Sequence, residues 1–527
     1  MTPFAELIER LVFCPSRNGK LRLLADYFAR VPDPDRGWAL AALTGGLDFP
    51  AVKAGVVRGL AVERVDPTLF GWSYDYVGDL AETVSLIWPE RPGPNRVPTL
   101  GEVVETMQTA NRSTAPALVA GLLDALDANE RFALLKLITG GMRIGVSARL
   151  AKVALAQFGK VDTAEIEELW HGLTPPYEDL FGWLDGNAPK PNVEETAVFR
   201  PLMLAHPMEE GDRAAADPSA YRAEWKWDGI RVQVAARGGE RRLYSRTGDD
   251  ISGAFPDITE AMAFDAVLDG ELLVCQDGEI QSFNRLQQRL NRKKVTGRML
   301  DEHPAWVRLY DILFDGDEDM RSLAFDERRQ RLEAWIEREG PSRMDLSPMI
   351  QFSDWQGLDD LRTSTENSAI EGVMVKRGDS PYVAGRPKGP WYKWKRAPQT
   401  LDTVLMYAQR GHGKRSSFYS DFTFGAWRPA EDGGRELVPV GKAYFGFTDE
   451  ELAQLDKWVR ANTTDRFGPV RAVSQELVLE VAFDSVSHST RHKSGVAMRF
   501  PRISRIRWDK PASEADVLET LEALIAD

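Results

Sequence analysis

Cysteine and long apolar runs are both scarce in this sequence of 527 residues. It has only two cysteines, Cys14 and Cys275, which lie far apart and cannot build a disulfide framework or a four-cysteine zinc site. No stretch is apolar enough, over a sufficient length, to cross a membrane. Three charged residues, Glu6, Glu9 and Arg10, interrupt the first apolar residues, so a signal peptide is not expected either. The sequence therefore predicts a protein of the reducing cytoplasm.

An excess of positive charge is also missing, since the formal net charge is −14 at pH 7. An even distribution of this charge would argue against nucleic acid as a partner. The basic residues, however, are concentrated in three segments. Residues 285–298 contain six basic residues and no acidic one, while residues 376–396 and 491–510 each contain seven basic residues and one acidic residue. A solvated face explains a single cluster equally well, but three clusters in an acidic chain indicate surfaces that bind phosphates.

The length and the changing sequence pattern indicate about three domains, because a chain of this size exceeds what one hydrophobic core supports. Residues 1–190 are predicted to form an all-α domain that ends in a Gly- and Pro-containing linker, 185–192. Residues 191–397 are predicted to be an α+β domain with a mixed or antiparallel sheet. A further break near Pro398 separates residues 398–527, which have the strand density of a small Greek-key barrel.

Individual elements can be predicted from hydrophobic periodicity and from start and stop signals. Helices are predicted at residues 117–126, 131–138 and 147–158 (with Ser147 as N-cap), at 283–290 and 325–337, and from about Ser513. Strands are predicted at residues 221–236, 242–246, 266–275, 307–314 and 372–376, and in the last region at 401–409, 422–428, 436–440 and 476–483.

The segment 224–231 places a lysine between two tryptophans, directly before an Asp-Gly pair. Lys226 is therefore expected in a partly dry pocket, where its amine can lose a proton and become a nucleophile. In a strand, period-two alternation would put Glu224, Lys226 and Asp228 on one face. Asp228 together with Gly229 is either a tight turn or a ligand for a metal or phosphate.

Two further apolar strands contain acidic residues that are costly to bury without a partner. One strand carries Asp269 and Glu271, and the other carries Glu371 and Lys376. A divalent cation, or the nucleophilic lysine, would satisfy these acids. Asp269 is equally well explained as the cap of an Asp-Gly turn.

A third segment, residues 391–395, alternates aromatic residues with cations. As a strand it would put Lys393 and Lys395 on a single face, where two cations suit a polyphosphate. The alternative interpretation is an exposed, charged edge strand without a ligand.

In this order the segments resemble the motifs of the covalent nucleotidyltransferases, and specifically of the ATP-dependent DNA ligases. The matching segments are residues 226–231, 245–248, 269–271, 309–311, 371–376, 391–395 and 498–510. Residues 139–145 are similar to the DNA-binding domain of larger ligases. The whole chain resembles the three-domain bacterial type, whose C-terminal domain is an OB-type β-barrel. NAD-dependent ligases are not matched, because they would add a cysteine-ligated zinc module.

The resemblance implies ATP as the nucleotide, with AMP bonded covalently to Lys226, and Mg²⁺ or Mn²⁺ as the metal. Catalytic roles are implied for Lys226, Asp228, Lys393 and Lys395. Nucleotide-binding roles are implied for Glu224, Arg231, Arg246, Glu271, Tyr310, Glu371, Lys376, Arg499, Arg502 and Lys510. Among these, Glu271 and Glu371 are expected at the metal, Tyr310 against adenine, and Glu224 through its backbone carbonyl. Lys393, Lys395 and the metal are expected to favour the neutral amine of Lys226.

The same resemblance implies the sealing of nicks with 3′-hydroxyl and 5′-phosphate ends in duplex DNA, through a DNA-adenylate, in DNA repair. DNA contacts are expected from Arg143, Arg285, Arg289, Arg292 and Lys293. The protein is expected to be a monomer that encircles nicked DNA and associates with the nucleoid. The last motif implies a barrel that rotates about the break near Pro398 between ATP capture and DNA binding.

Three alternative functions use part of the same pattern. An RNA ligase and a capping-type guanylyltransferase share the lysine chemistry, but the large helical region and the arginine-rich last motif favour DNA. A nucleic-acid-binding scaffold that has lost catalysis is the third. The residues that argue against a scaffold are Lys226, Glu271, Glu371, Lys393 and Lys395.

Overall fold

The computed structural model describes residues 1–90, 96–140, 142–193, 196–290, 292, 295–365, 367, 369–410, 418–430, 433–468, 470–490 and 492–525. Lys293, one of the residues expected to contact DNA, lies outside the described residues, as does Lys294. Within the described ranges, no helix has both the length and the apolar character that a membrane crossing requires.

The N-terminal region is helical, as its amphipathic periodicity predicts. Its helices are α1 (Thr2–Phe13), α2 (Arg17–Arg30), α3 (Asp35–Thr44), α4 (Ala54–Arg64), α5 (Pro67–Val77), α6 (Leu80–Ile87), α7 (Leu100–Thr109), α8 (Ala115–Ala125), α9 (Ala128–Ile138), α10 (Ala148–Gly159), α11 (Thr163–Leu169) and α12 (Glu178–Leu184). The helices predicted at 117–126, 131–138 and 147–158 correspond to α8, α9 and α10. Ser147 is the N-cap of α10, since its hydroxyl accepts a hydrogen bond from the Leu150 N–H. The apolar faces of the helices meet in one shared core.

The middle region alternates strands with short helices. Its strands are β1 (His206–Pro207), β2 (Tyr221–Trp227), β3 (Ile230–Arg237), β4 (Glu240–Ser245), β5 (Ala266–Gln276), β6 (Glu279–Ile280), β7 (Ala305–Asp315), β8 (Glu318–Asp319), β9 (Met344–Leu346), β10 (Met349–Ile350), β11 (Ile370–Arg377) and β12 (Trp391–Lys395). Its helices are α13 (Glu210–Ala215), α14 (Pro256–Thr259), α15 (Phe283–Gln287), α16 (Gly297–Glu302), α17 (Phe325–Glu339) and α18 (Trp355–Ser364).

These strands form two mostly antiparallel sheets. The described strands of the first sheet are ordered β1-β12-β11-β2-β10, and those of the second β4-β3-β5-β7-β8, with β6 on β5 and β9 on β7. The second sheet packs on α14 and α17 through Ile258, Leu332 and Trp335, which are all fully buried. The first sheet packs on α18 through Leu358. The expected mixed sheet is therefore present, but divided in two.

The strand predicted at 221–236 is two strands, β2 and β3, that belong to different sheets. Asp228 and Gly229 connect them, and the Asp228 N–H donates to the Ala369 carbonyl at 2.7 Å. Only glycine fits at 229, because a Cβ there would lie 2.5 Å from the Leu272 carbonyl oxygen. The Asp-Gly pair is thus the point where the chain passes from one sheet to the other.

The C-terminal region contains a strongly bent sheet consistent with an OB-like barrel. Its strands are β13 (Gln399–Arg410), β14 (Tyr419–Pro429), β15 (Arg435–Ala443), β16 (Thr463–Phe467), β17 (Val470–Val473), β18 (Val478–Phe483), β19 (Ser485–His488), β20 (Val496–Arg499) and β21 (Arg502–Arg507), and its helices are α19 (Asp449–Ala461) and α20 (Leu518–Glu522). Among these, β13 is central, because it pairs with β14, β17 and β18. The four predicted strands correspond to β13, β14, β15 and β18.

The sequence prediction missed one helix of this region, α19, and placed the start of the other too early. The last helix begins at Leu518, because Ser513 lies in a short 3₁₀ turn and Ala515 and Val517 are extended. There the Asp516 N–H donates to the Asp402 carbonyl at 2.9 Å, and the Asp402 N–H donates to the Asp516 carboxylate at 2.8 Å. These tertiary hydrogen bonds override the local helix signal.

Candidate active site

A cavity of about 380 Å³ lies between the two sheets of the middle region. This volume is within the range of small-molecule sites. Ten of the residues predicted to bind or transfer a nucleotide line it, namely Glu224, Lys226, Arg231, Arg246, Glu271, Tyr310, Glu371, Lys376, Lys393 and Lys395. The first sheet supplies the lysines and two of the glutamates, and the second supplies Arg231, Glu271 and Tyr310. The fold therefore brings together residues that are up to about 170 positions apart in sequence.

A β-bulge in β11 directs Glu371 into this cavity. Gly372 is opposite both Lys226 in β2 and Lys395 in β12, and the register shifts between Ile370 and Gly372, which leaves Glu371 as the extra residue. Gly372 has φ 150°, and a Cβ there would lie 2.3 Å from the Trp394 carbonyl oxygen. The bulge therefore requires glycine at 372.

Lys226 is paired with this glutamate. Its Nζ lies 2.8 Å from Glu371 Oε2, and its side chain is 21% exposed. The pocket is thus partly dry, as predicted. The expected neighbours of this amine were Lys393, Lys395 and a metal, whereas the group that forms an ion pair with it is the Glu371 carboxylate. Lys395 shares the same carboxylate, with Nζ 3.1 Å from Glu371 Oε2.

Three acids at the cavity differ in their tendency to ionise. Burial opposes the charge on Glu371, but the ammonium groups of Lys226 and Lys395 outweigh it and lower the pKa of Glu371 to about 2. Burial raises the pKa of Glu271 to about 8, against the attraction of Lys226. Burial also raises the pKa of Asp228 to about 6, although Arg499 opposes this shift. At neutral pH, Glu371 is therefore an anion, while Glu271 is mostly a neutral acid.

The acidic side chains at the cavity fit a hard divalent cation. The candidate donors are the carboxylate oxygens of Glu271 and Glu371, the type of ligand that Mg²⁺ prefers. Across the described residues, no group of three or more His, Cys, Asp or Glu side chains could hold a metal ion. Glu271 and Glu371 could supply one or two carboxylate ligands, the number that Mg²⁺ commonly takes from a protein.

A buried ion pair forms the floor of the cavity. Lys376 Nζ lies 3.4 Å from each carboxylate oxygen of Glu224, and both side chains are 2% exposed. The Lys376 ammonium also lies 4.6 Å from the ring centroids of Tyr310 and Trp391. The Glu224 side chain thus neutralises a buried cation. The side chain, whose identity was expected to matter little, therefore has a buried partner, while the expected contact of the Glu224 backbone carbonyl with the adenine amine stays a prediction.

Arg231 is bound by a second buried acid, Asp269. Its guanidinium donates to both carboxylate oxygens of Asp269 at 3.0 and 2.6 Å, and Tyr382 donates its hydroxyl to the same carboxylate at 2.7 Å. Asp269 lies inside β5 and is fully buried. Its explanation as a turn cap is therefore wrong. Sequence reasoning missed Tyr382, which no local pattern marks.

The lysines of β12 occupy one wall of the cavity. The strand lies between β1 and β11, so the edge-strand alternative for this segment is wrong. Burial lowers the pKa of Lys393, and the neighbouring Lys395 and Arg386 act in the same direction. Burial opposes the charge on Lys395, but Glu371 and Asp484 raise the pKa of that amine. The pKa of Lys393 is therefore lowered and that of Lys395 is raised, although both lysines line the cavity.

The C-terminal region contacts the middle region beside the site and shares an adjoining cavity with it. Arg499 donates to both carboxylate oxygens of Asp228 at 2.7 and 2.5 Å, and its guanidinium lies 4.1 Å from the ring centroid of Phe283. Lys395 also crosses between the regions, with Nζ 3.3 Å from Asp484. Asp228 is therefore both part of a turn and an ion-pair partner. Asp484 was not predicted, although an acid at the end of the apolar strand β18 is a recognisable signal.

The other basic residues of the last motif lie outside the cavity. Arg502 Nη1 lies 3.1 Å from Asp484 Oδ1. Lys510 Nζ lies 2.7 Å from Asp402 and lines neither the cavity between the sheets nor the adjoining cavity of about 330 Å³ that contains Arg499. Lys510 therefore differs from its expected position at the nucleotide, because Asp402 holds it within the C-terminal region.

The residues expected to contact DNA divide into two groups. Arg143, Arg285 and Arg292 are exposed. Arg289 is fully buried, and its guanidinium donates to both oxygens of Asp257 at 2.8 and 2.6 Å. It therefore cannot reach DNA, and the prediction of a DNA contact is wrong. Periodicity could have indicated this, since the helix predicted at 283–290 would put Arg289 on the same face as Leu286, although the observed helix α15 ends at Gln287.

Replacement of Arg289 tests this correction. Arg289→Met is expected to destabilise the protein by about 3–5 kcal/mol, because it leaves the Asp257 carboxylate buried without its cation. Thermal or urea-induced unfolding measures the change. The control is Arg285→Met at an exposed site, expected to alter stability by less than about 0.5 kcal/mol while weakening binding to nicked DNA. Equal stability of the two variants would contradict the structural role of Arg289.

Comparisons with known proteins match the middle and the C-terminal regions of the chain to two family models. Residues 202–395 match the family model described as ATP dependent DNA ligase domain, and residues 415–510 match the ATP dependent DNA ligase C terminal region. A "Probable DNA ligase" of Koribacter versatilis is 32% identical over 99% of this chain and 96% of that protein. "DNA ligase 1" of Korarchaeum cryptofilum is 32% identical over 99% of this chain and 97% of its own length. A solved structure called Pmar-Lig_PreS3 shares the fold, with a TM-score of 0.61 at 16% identity, covering 96% of this chain and 99% of that chain.

Proposed function

The chain belongs to the ATP-dependent DNA ligases, and from that premise we propose that Lys226 carries AMP from ATP to the nick as a covalent adduct. The enzyme seals nicks in duplex DNA at the expense of ATP. The observation that carries the proposal is the position of the Lys226 amine. It lies in the cavity between the sheets, 2.8 Å from Glu371, with Lys393 and Lys395 on the same cavity wall.

In the first step, the neutral Lys226 amine attacks the α-phosphorus of ATP. An N–P bond forms and the bond to pyrophosphate breaks. The amine must first lose a proton. Because the pKa of Glu371 is lowered to about 2, this carboxylate is a poor base, and we assign it to orient the amine while the proton passes to water. Lys393 and Lys395 are assigned to neutralise the charge of the α-phosphate.

The remaining cavity residues are assigned to the nucleotide. Tyr310 is placed against adenine, since its ring lines the cavity and rests on the Lys376 ammonium. Arg231 and Arg246 are assigned to the ribose and phosphates. Glu271 is assigned to the ribose and to the metal, because a bound cation would favour the ionised form of a carboxyl whose pKa is about 8.

Mg²⁺, or Mn²⁺ in its place, is part of the proposal. Glu271 and Glu371 would hold it. When bound, such an ion stabilises the negative charge that develops on transferring phosphoryl oxygens. Glu371 already contacts the Lys226 amine, and Glu271 lines the same cavity, so the two carboxyl groups border the same space.

The second and third steps take place on the DNA. A 5′-phosphate oxygen attacks the phosphorus of AMP, and the N–P bond to Lys226 breaks. The 3′-hydroxyl then attacks the 5′-phosphorus and displaces AMP, which seals the strand. The exposed residues Arg143, Arg285 and Arg292 are assigned to the DNA phosphates.

We propose domain limits of 1–190, 191–397 and 398–527, which are supported by the separate cores of the helical, middle and C-terminal regions. A monomer whose three domains encircle the nick is the proposed arrangement, in which the exposed Arg143 of the helical region and Arg285 and Arg292 of the middle region meet the DNA from two of the domains. A role in repair, at the nucleoid in the cytoplasm, rests on the resemblance to bacterial enzymes of this type.

Incubation with nucleotides labelled at the α-phosphate tests the proposal. ATP with Mg²⁺ is expected to leave a covalent label on the protein, and GTP is not. EDTA should prevent the labelling, and addition of nicked duplex DNA should discharge the label and produce a sealed strand. Labelling by GTP would indicate capping chemistry, and a label discharged only by nicked RNA would indicate an RNA ligase. Absence of any label would contradict a catalytic role for Lys226.

A further inference from the structure

The loop between α9 and α10 contains backbone conformations that need external support. Gly140 and Gly145 have φ values of 70° and 71°, and Arg143 has φ 35°. An arginine at positive φ is uncommon, and such conformations persist only where surrounding structure holds them. Arg143 is exposed in this loop. Another part of the protein must therefore hold the backbone of this loop in place.

Lys20, in α2, supplies that support from more than 120 residues away in sequence. Its ammonium donates to the Ile144 carbonyl at 2.8 Å and to the Gly145 carbonyl at 3.0 Å. The fit is close, because a Cβ at Gly145 would lie 2.3 Å from Lys20 Nζ. Ile144 itself is buried at 3% exposure and anchors the loop from the other side.

We propose that Lys20 is a positioning residue for DNA binding, which acts by fixing the backbone that carries Arg143. The inference rests on the proposed role of Arg143 as a phosphate contact. Two of the three N–H groups of the Lys20 ammonium donate to carbonyl groups of the loop, so the ammonium is bound to the loop backbone. Loss of Lys20 frees the loop, so Arg143 is no longer held where it meets the phosphate, and both that contact and its share of the affinity are lost.

Salt-dependent binding separates this role from a direct phosphate contact. The dissociation constant for nicked duplex DNA is measured without metal across a salt series for Lys20→Met, Arg143→Ala and the double variant. Each phosphate contact contributes about 0.9 to the slope of log affinity against log salt. Each single variant is expected to weaken binding by about tenfold, equivalent to one charge-assisted hydrogen bond, and to lower the slope by about one. The double variant is expected to match the single variants in both quantities.

Two controls accompany these variants. Lys53→Met replaces an exposed lysine of the same region, for which the described residues show no side-chain hydrogen bond or ion pair, and should bind DNA like the parent. Lys20→Arg retains a cationic donor and should restore most of the affinity. Labelling by ATP should be unchanged in every variant, since the nucleotide cavity lies in another region. The midpoint of thermal unfolding identifies any variant that has lost its fold. If Lys20→Met is such a variant, the DNA affinity of Lys20→Arg decides the outcome in its place.

The outcomes separate the inference from the function on which it rests. A double variant that binds about a hundredfold more weakly, with a slope lowered by about two, would show that Lys20 contacts phosphate independently and would overturn the inference. Normal binding by Lys20→Met together with weak binding by Arg143→Ala would also overturn it. Normal binding by Arg143→Ala would instead refute the proposed DNA contact of Arg143.

Discussion

Lys226→Ala is expected to abolish the covalent attachment of AMP and to reduce the sealing of ordinary nicks by at least about a thousandfold, as removal of an enzyme nucleophile does. The reason is that, among the described residues, no other lysine that lines the cavity takes the position of Lys226. Lys393 and Lys395 belong to β12, which is separated from β2 by β11, and Lys395 is held between Glu371 and Asp484. Labelling with α-phosphate-labelled ATP and sealing of nicked DNA measure the two effects.

Binding to nicked DNA should remain within about twofold of the parent in the same variant, because the exposed basic residues lie elsewhere. Sealing of a nick that already carries AMP should persist in part, since the third step does not use the amine. These two results would show that the variant is folded and has lost only the nucleophile.

A second replacement separates charge from nucleophilicity. Lys226→Arg keeps a cation for Glu371, but a guanidinium remains protonated and cannot attack. It is expected to be as inactive in labelling as Lys226→Ala. Lys457→Ala, at an exposed lysine of α19, is the matched control and should label normally. Labelling of Lys226→Arg or Lys226→Ala at the parental rate would place the adduct on another residue.

Local patterns were sufficient to predict most of the elements that carry the site. Period-two alternation placed Lys226 in a strand, and alternating aromatic and cationic residues did the same for Lys393 and Lys395. Strand positions such as β5, β7 and β11 were predicted within about three residues. Helix α19 could also have been predicted, because Thr448 and Glu451 form a capping box before an amphipathic run.

Contacts between distant segments could not be predicted in this way. The approach of Glu371 to Lys226 depends on a bulge in β11, and a register shift leaves no local sequence signature beyond its glycine. The same holds for the pair of Lys376 with Glu224, which are 152 residues apart. Composition likewise misled the assignment of Arg289, since a cluster of basic residues does not show which of them is buried.

The ion pair of Arg499 with Asp228 leads to the last expected result. Arg499→Ala should reduce labelling by ATP by at least about a hundredfold, yet leave the sealing of a pre-adenylated nick within a few fold of the parent. Arg499 reaches Asp228, two residues beyond Lys226, only while the barrel faces the cavity. In this position its guanidinium is available to orient the pyrophosphate leaving group. We propose that DNA later occupies the same side of the cavity and that the barrel then turns away, with the break near Pro398 as hinge.

Two comparisons make the Arg499 result specific. Arg466→Ala, at an exposed arginine of β16, is the matched control and should label and seal like the parent. The motif resemblance assigns Lys510 to the nucleotide, but in the structure Lys510 is paired with Asp402 and lines neither cavity. Lys510→Ala tests which of the two is right. Its effect on labelling should be much smaller than that of Arg499→Ala. If Arg499→Ala lost labelling and pre-adenylated sealing to the same extent, the arginine would serve all steps alike, and the barrel would have no separate role in the capture of ATP.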